Sequence, residues 1–87
     1  MTWTLLTDHD FDRALRRLDR PTQRVILARL LALTELEDPR VRLRPLTGPL
    51  AGLWRYRIGD VRVIIDVRVA EVVLVALDVG RRDSIYV

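Results

Sequence analysis

The chain has 87 residues, 49% of them hydrophobic, with 15 basic against 12 acidic residues for a formal charge of +3. That length supports one domain over residues 1–87 with one modest core, and the apolar content argues against disorder. The absence of cysteine excludes disulfides and thiolate zinc sites; no apolar run could span a bilayer and the acidic N-terminal stretch is unlike a signal peptide, so a cytoplasmic location without membrane contact is expected.

Every basic residue is Arg; there is no Lys. A mildly basic chain with clustered Arg suits a polyanionic partner. The chain opens on a short apolar run, Trp3 to Leu6, which reads as an early or edge strand. Thr7 or Asp8 can cap the next helix, where Phe11, Leu15 and Leu18 recur on one face and Arg13, Arg16, Arg17 and Arg20 lie off it. His9, the only histidine, sits at that helix start with no second ligand or base recognisable nearby and reads as surface.

Pro21 fits the first turn of a second helix. From Thr22 to about Leu36, the stripe Ile26, Leu30 and Leu33 is widened by Val25, Leu27, Ala28 and Leu31. A helix this broadly apolar is expected to pack on both the first helix and a sheet. Asp38-Pro39 stops it, leaving an antiparallel helical hairpin. Arg40 to Gly52 is punctuated by Pro45, Gly48 and Pro49 and reads as a loop. Within it Arg40, Arg42 and Arg44 alternate with Val41 and Leu43, a short extended piece with its Arg side in water.

Leu53 to Asp66 reads as two strands joined by the two-residue turn Gly59-Asp60, where Gly59 can supply φ > 0 and Asp60 tolerates it. That turn pairs Ile58 with Val61, Arg57 with Arg62, Tyr56 with Val63 and Arg55 with Ile64. One face then carries Trp54, Tyr56, Ile58, Val61, Val63 and Ile65; the other carries Arg55, Arg57 and Arg62. Like charges opposite one another on a sheet repel. A local rule broken without structural gain marks a candidate functional site, and convergent guanidiniums on a rigid hairpin suit phosphate; a solvated basic face is the competing reading.

Val67 to Ala70 forms the next turn, and the β-branched run from Glu71 to Val79 reads as a central strand ended by Gly80. Arg81, Arg82, Asp83 and Ser84 follow, then Ile85, Tyr86 and Val87. The fold class is therefore α+β: an N-terminal strand, an α-helical hairpin and a three-stranded antiparallel meander, with the helices packed on one face of the sheet. The Arg55, Arg57 and Arg62 side chains should point to the uncovered face.

With Leu46-Thr47-Gly48, the hairpin pattern R-x-R-x-G-D-x-R over Arg55 to Arg62, and Val79-Gly80-Arg81-Arg82 to Tyr86 laid out, the whole chain resembles the RelE/ParE superfamily of bacterial type II toxins, most closely the RelE branch. The resemblance implies an endoribonuclease that cuts messenger RNA in the ribosomal A site without a metal or cofactor. In that chemistry a ribose 2′-OH attacks the adjacent phosphate and leaves a 2′,3′-cyclic phosphate. Carried over position by position, the catalytic set is Arg55, Arg57, Arg62, Arg82 and Tyr86, the last stacking on a base, with Arg81 adjacent as a nucleic-acid contact; Arg44, from the Arg40 to Arg44 run, is a further candidate phosphate contact.

Two departures stand out. The family often has Lys at the first two positions, where this chain has Arg55 and Arg57, and Arg does not act as a base. Related toxins carry a His before the equivalent of Arg82, where this chain has Arg81, leaving Asp78, Asp83 and the Tyr86 hydroxyl as proton acceptors close in sequence. The resemblance leaves a second class open, a ParE-like toxin that poisons DNA gyrase without catalysis. A plain nucleic-acid-binding module would need more exposed aromatics than Tyr86. Either toxin branch implies an antitoxin, acidic on its binding segment, laying a helix across the helical hairpin or a strand on the sheet edge.

Overall fold

The computed structural model of the protein describes residues 2–81. Strand β1 (Thr4–Thr7) leads into helix α1 (His9–Arg16). Asp8 is its N-cap: the backbone there is extended and the carboxylate accepts the Asp10 N–H at 3.2 Å. Helix α2 (Arg20–Thr34) starts the same way, with Asp19 accepting the Thr22 N–H at 3.2 Å and the Thr22 hydroxyl at 2.7 Å, and with Pro21 in the first turn. These caps satisfy donors that a helix start otherwise leaves open.

Strands β2 (Arg44–Pro45), β3 (Trp54–Ile58), β4 (Val61–Arg68) and β5 (Val73–Arg81) complete one sheet in the order β1-β5-β4-β3-β2. The expected meander is present as β3, β4 and β5, all antiparallel, and the hairpin register is the expected one from Trp54↔Ile65 to Ile58↔Val61. Gly59 has φ 60 and Asp60 does not share it, the pattern of a type II′ turn, whose twist matches its strands.

Among the described residues five strands make the sheet, one more than expected. β1 pairs parallel with β5, Thr4 to Thr7 against Val73 to Ala76, and β2 adds a two-residue edge to β3. The extended piece expected over Arg40 to Arg44 is mostly a 3₁₀ turn, Pro39–Arg42. Pro39 presets φ there, and Asp38 captures both the N–H and the guanidinium of Arg40 at 2.9 to 3.1 Å. The turn placed at Val67 to Ala70 lies two residues later, and β5 runs through Gly80 to Arg81. Val72 closes that turn at φ 57, a conformation costly for a β-branched residue. It is held by its own N–H on Val69 O at 3.1 Å and by Thr4 N–H on its carbonyl at 3.0 Å.

Phe11, Ile26, Leu30 and Leu33 from the helices pack on Val63, Ile65, Leu74 and Ala76 from the sheet. Each is essentially sealed from water, and burying a side chain of the larger kind is worth roughly 1.5–3 kcal/mol. As expected, α2 shares its core with both α1 (Phe11, Leu15) and the sheet, but through a narrower face: Val25, Leu27 and Leu31 are 49%, 38% and 57% exposed. Only the Ile26, Leu30 and Leu33 stripe meets the core; the helix's outer side is apolar and open.

Candidate active site

The hairpin register builds the site. Across the sheet run two rows: Arg44, Arg55, Ile64 and Asp78 in one, Arg57, Arg62 and Gly80 in the next. Residues directly opposite share a face. The core takes Tyr56, Val61, Val63 and Ile65, so these rows stand on the side away from the helices, where Arg55, Arg57 and Arg62 were expected together.

Ile64 is only 4% exposed yet belongs to no part of the main core. It forms an apolar floor under the basic face, which sequence reasoning had treated as polar throughout. The signal was present: an Ile between Arg62 and Asp66 breaks the alternation of β4. Beside it Arg55 is half-buried, and its Nε is sealed from solvent with no hydrogen-bond partner. An unmet buried donor costs about 1–3 kcal/mol, and an incoming oxyanion oxygen would meet it. Arg57 is exposed and makes one long contact, Nε to Gly59 O at 3.5 Å. With Arg62, Gly59 and Asp60 it lines a small opening at the hairpin end. Arg44 is exposed on β2 opposite Arg55.

Arg81 is placed apart from this set. Opposite the Ile64–Ile65 step β5 carries one extra residue, Leu77. The bulge shifts the alternation, so Arg81 pairs with core-side Val61. Its guanidinium reaches Asp60 at 2.9 Å and Asp19 at 3.4 Å. Asp19 is held below the usual carboxylate range, mainly by its hydrogen bonds from Thr22 and least by Arg81. Asp78 occupies the row of Arg55, its carboxylate accepting the Val79 N–H at 2.9 Å. His9 is exposed at the start of α1, away from the basic face. Arg82, Tyr86 and Asp83 lie outside the described residues. Among the described residues no cluster of His, Asp or Glu is placed to hold a metal, and no helix is long and apolar enough to cross a membrane.

The family model described as the ParE toxin of the type II toxin-antitoxin system parDE matches residues 3–86. The chain belongs to that toxin family, within the RelE/ParE superfamily. This ParE-family toxin is similar in fold to the RelBE2 toxin-antitoxin complex of Mycobacterium tuberculosis, with TM-score 0.86 and 22% identity over 94% of this chain and 93% of that one. The archaeal RelE–RelB complex of Pyrococcus horikoshii gives TM-score 0.74 and 28% identity over 97% and 99%. The intact RelBE complex of E. coli gives 0.71 and 15% over 91% and 95%. No curated protein matches the chain significantly. The superfamily resemblance carried by the R-x-R-x-G-D-x-R hairpin is thus borne out, and the toxin's fold is RelE-like.

Proposed function

We propose that this toxin is a metal-independent endoribonuclease that cuts messenger RNA in the ribosomal A site, in the cytoplasm, and so halts translation. The observation that carries the reading is the unpartnered, buried Nε–H of Arg55 in a basic face shared with Arg57 and Arg62. Such a face is built for an oxyanion, and preorganised donors of this kind act where charge develops in a transition state. In the proposed step the ribose 2′-oxygen attacks phosphorus, the bond to the 5′-oxygen breaks, and a 2′,3′-cyclic phosphate remains. Arg55, Arg57, Arg62 and Arg82 surround the phosphoryl oxygens, and Tyr86 stacks on a base. Guanidiniums stay charged and take no proton. The 2′-OH proton therefore passes to a carboxylate or to water; Asp78, in the Arg55 row, is the acceptor this reading favours. The 5′-oxygen is protonated by solvent.

The reading includes an antitoxin. The chain's family is that of toxin-antitoxin systems, and relatives of similar fold were solved bound to RelB partners. The open apolar patch of α2, with Leu27 and Leu31 next to Arg24, suits an acidic amphipathic segment.

One observation favours a second reading. The matching family model is that of ParE, and a ParE-like toxin would poison DNA gyrase without cutting RNA. Expression in cells followed by mapping of messenger 5′ ends separates the two. Cuts within codons, lost in Arg55→Ala, support the nuclease. Intact messages with accumulating double-strand DNA breaks support the gyrase poison and sink the nuclease.

A further inference from the structure

The basic surface does not stop at the hairpin. Among the described residues, strand β3 has no neighbour on its outer edge beyond Arg55, because β2 pairs only with Trp54 and Arg55. In a two-residue hairpin the closing pair, here Ile58 and Val61, exchanges both hydrogen bonds. The next pair does not, so the N–H and C=O of Arg57 point to the open edge. Helix α2 lies along that edge. Between them is a cleft of about 470 Å³ whose rim carries Arg29 from α2, Arg42 from the 3₁₀ turn and Arg57 from β3.

Three features mark this cleft as an anion site. Among the described residues, no acidic residue lines it. The side chains of Arg29 and Arg42 make no hydrogen bond or ion pair among the described residues, whereas those of Arg40, Arg68 and Arg81 each hold a carboxylate. Of the apolar residues lining it, Leu33 and Tyr56 are buried and Leu36 half-buried, and exposed Ala32 adds only a methyl group. What the cleft presents is chiefly guanidinium, and unneutralised like charges converging in a concave site raise the local potential.

Arg57 belongs to both places. It lines the opening beside Arg62 and it lines the cleft. A polyanionic strand lying on the hairpin face steps onto Arg57 and continues to Arg42 and Arg29 without leaving cationic surface. We propose that the α2–β3 cleft is a second nucleic-acid site, which binds the phosphodiester backbone of single-stranded RNA flanking the phosphate that is cut. Arg forks match phosphate oxygens in pairs, and the outward Arg57 N–H adds a backbone donor. The inference rests on the nuclease reading for its substrate. A carboxylate-rich peptide strand on the same edge is the competing occupant.

The test is binding of a short labelled single-stranded RNA, 2′-O-methylated so that it is not cut, followed by fluorescence anisotropy over a salt series. The variant is Arg29→Ala/Arg42→Ala; both residues are exposed, and thermal melting confirms that it folds. The expected result is a loss of about tenfold in affinity, with the slope of log K against log salt shallower by roughly 1.4, from about 0.7 per phosphate contact. Unchanged affinity and slope in the double variant would overturn the inference. So would unchanged RNA binding together with lost binding of an acidic peptide, which would assign the cleft to a protein. The nuclease reading fails separately, by the wild type leaving cellular messages uncut.

Discussion

The guanidinium of Arg81 donates to both carboxylate oxygens of Asp60, at 2.9 and 3.1 Å, across a sequence gap of 21 residues. One side chain thereby joins the end of β5 to the hairpin turn, and through Asp19 to the α1–α2 turn. The pairs are about half exposed or more, and exposed pairs contribute little to stability. Arg81→Ala should lower the melting temperature by a few °C at most and leave the salt slope of RNA binding unchanged. A slope reduced by a full contact would put Arg81 on the nucleic acid after all.

Arg55→Ala and Arg62→Ala should keep the fold and lose activity. Removing one preorganised donor to a developing oxyanion typically costs 10²–10³ in rate, about 3–4 kcal/mol. Arg55→Ala also removes an unmet buried donor, so its melting temperature should hold or rise. Cleavage of messages on purified ribosomes, measured beside thermal melting, checks both. A folded Arg62→Ala with wild-type cleavage ends the basic-face account.

The floor and the core should separate. Phe11 is fully buried, and Phe11→Ala should cost about 3–5 kcal/mol, a large part of a small domain's stability; this variant should be unfolded or nearly so by circular dichroism. Ile64→Val removes one methylene under Arg55 and should cost only about 0.5–1.5 kcal/mol. It should remain folded while cleavage falls, because the half-buried Arg55 loses support. Full activity in Ile64→Val would reduce Ile64 to packing.

The pH response follows from the arginines. Cleavage should vary weakly between about pH 6 and 8, beyond the ionisation of the 2′-OH itself, because no Lys or His shares the described basic face and Arg stays charged. Stability should behave differently in acid. Hydrogen bonds from Arg40 hold Asp38, and those from Thr22 hold Asp19, below the ordinary value of 3.8. A depressed carboxylate pKa gives stability that is present above the unfolded value and lost as pH falls through the folded one. Hydrogen bonds to Asp38 and Asp66 raise Arg40 and Arg68 above the ordinary guanidinium value, so their contribution is complete at neutral pH and fades only in strong alkali. Melting temperatures should be flat from about pH 5 to 9 and drop below about 4. An Asp38→Asn variant should soften that acid drop; an identical drop would show that other carboxylates set it.

The outer side of α2 offers a cleaner partition. Leu31 is 57% exposed, so Leu31→Glu should leave folding and toxicity intact while the antitoxin no longer neutralises the toxin. Co-expression growth assays and pull-down read this directly. Undiminished neutralisation would move the antitoxin elsewhere.

Local chemistry was legible where it was self-contained. Gly59-Asp60, the flanking alternation, the Asp8 cap and Pro21 in the first turn of α2 each fix geometry within a few residues, and the hairpin came out in register. Long-range pairing was not. Nothing in Thr4 to Thr7 says that its neighbour is the last strand, and parallel against antiparallel leaves no mark in so short a run. The extra residue Leu77 is invisible to a period-two reading, yet it decides that Arg81 faces the helices. The apolar breadth of α2 was seen and overread, because exposed apolar residues at Leu27 and Leu31 follow the same helical periodicity as those buried in the core. The cleft at Arg29 and Arg42 was missed because its members lie on three elements far apart in sequence, each an ordinary surface Arg by itself.

The parallel pairing of β1 with β5 also bears on how the toxin is made. The first strand has no sheet neighbour until residues 73–76 exist, and contacts this distant slow the closing of a fold. While its own messenger is being read, the chain holds Arg55 and Arg62 on a hairpin without its supporting strand, and the row through Asp78 is incomplete. The basic face is therefore completed only after β5 has been made and has joined both β4 and the first strand.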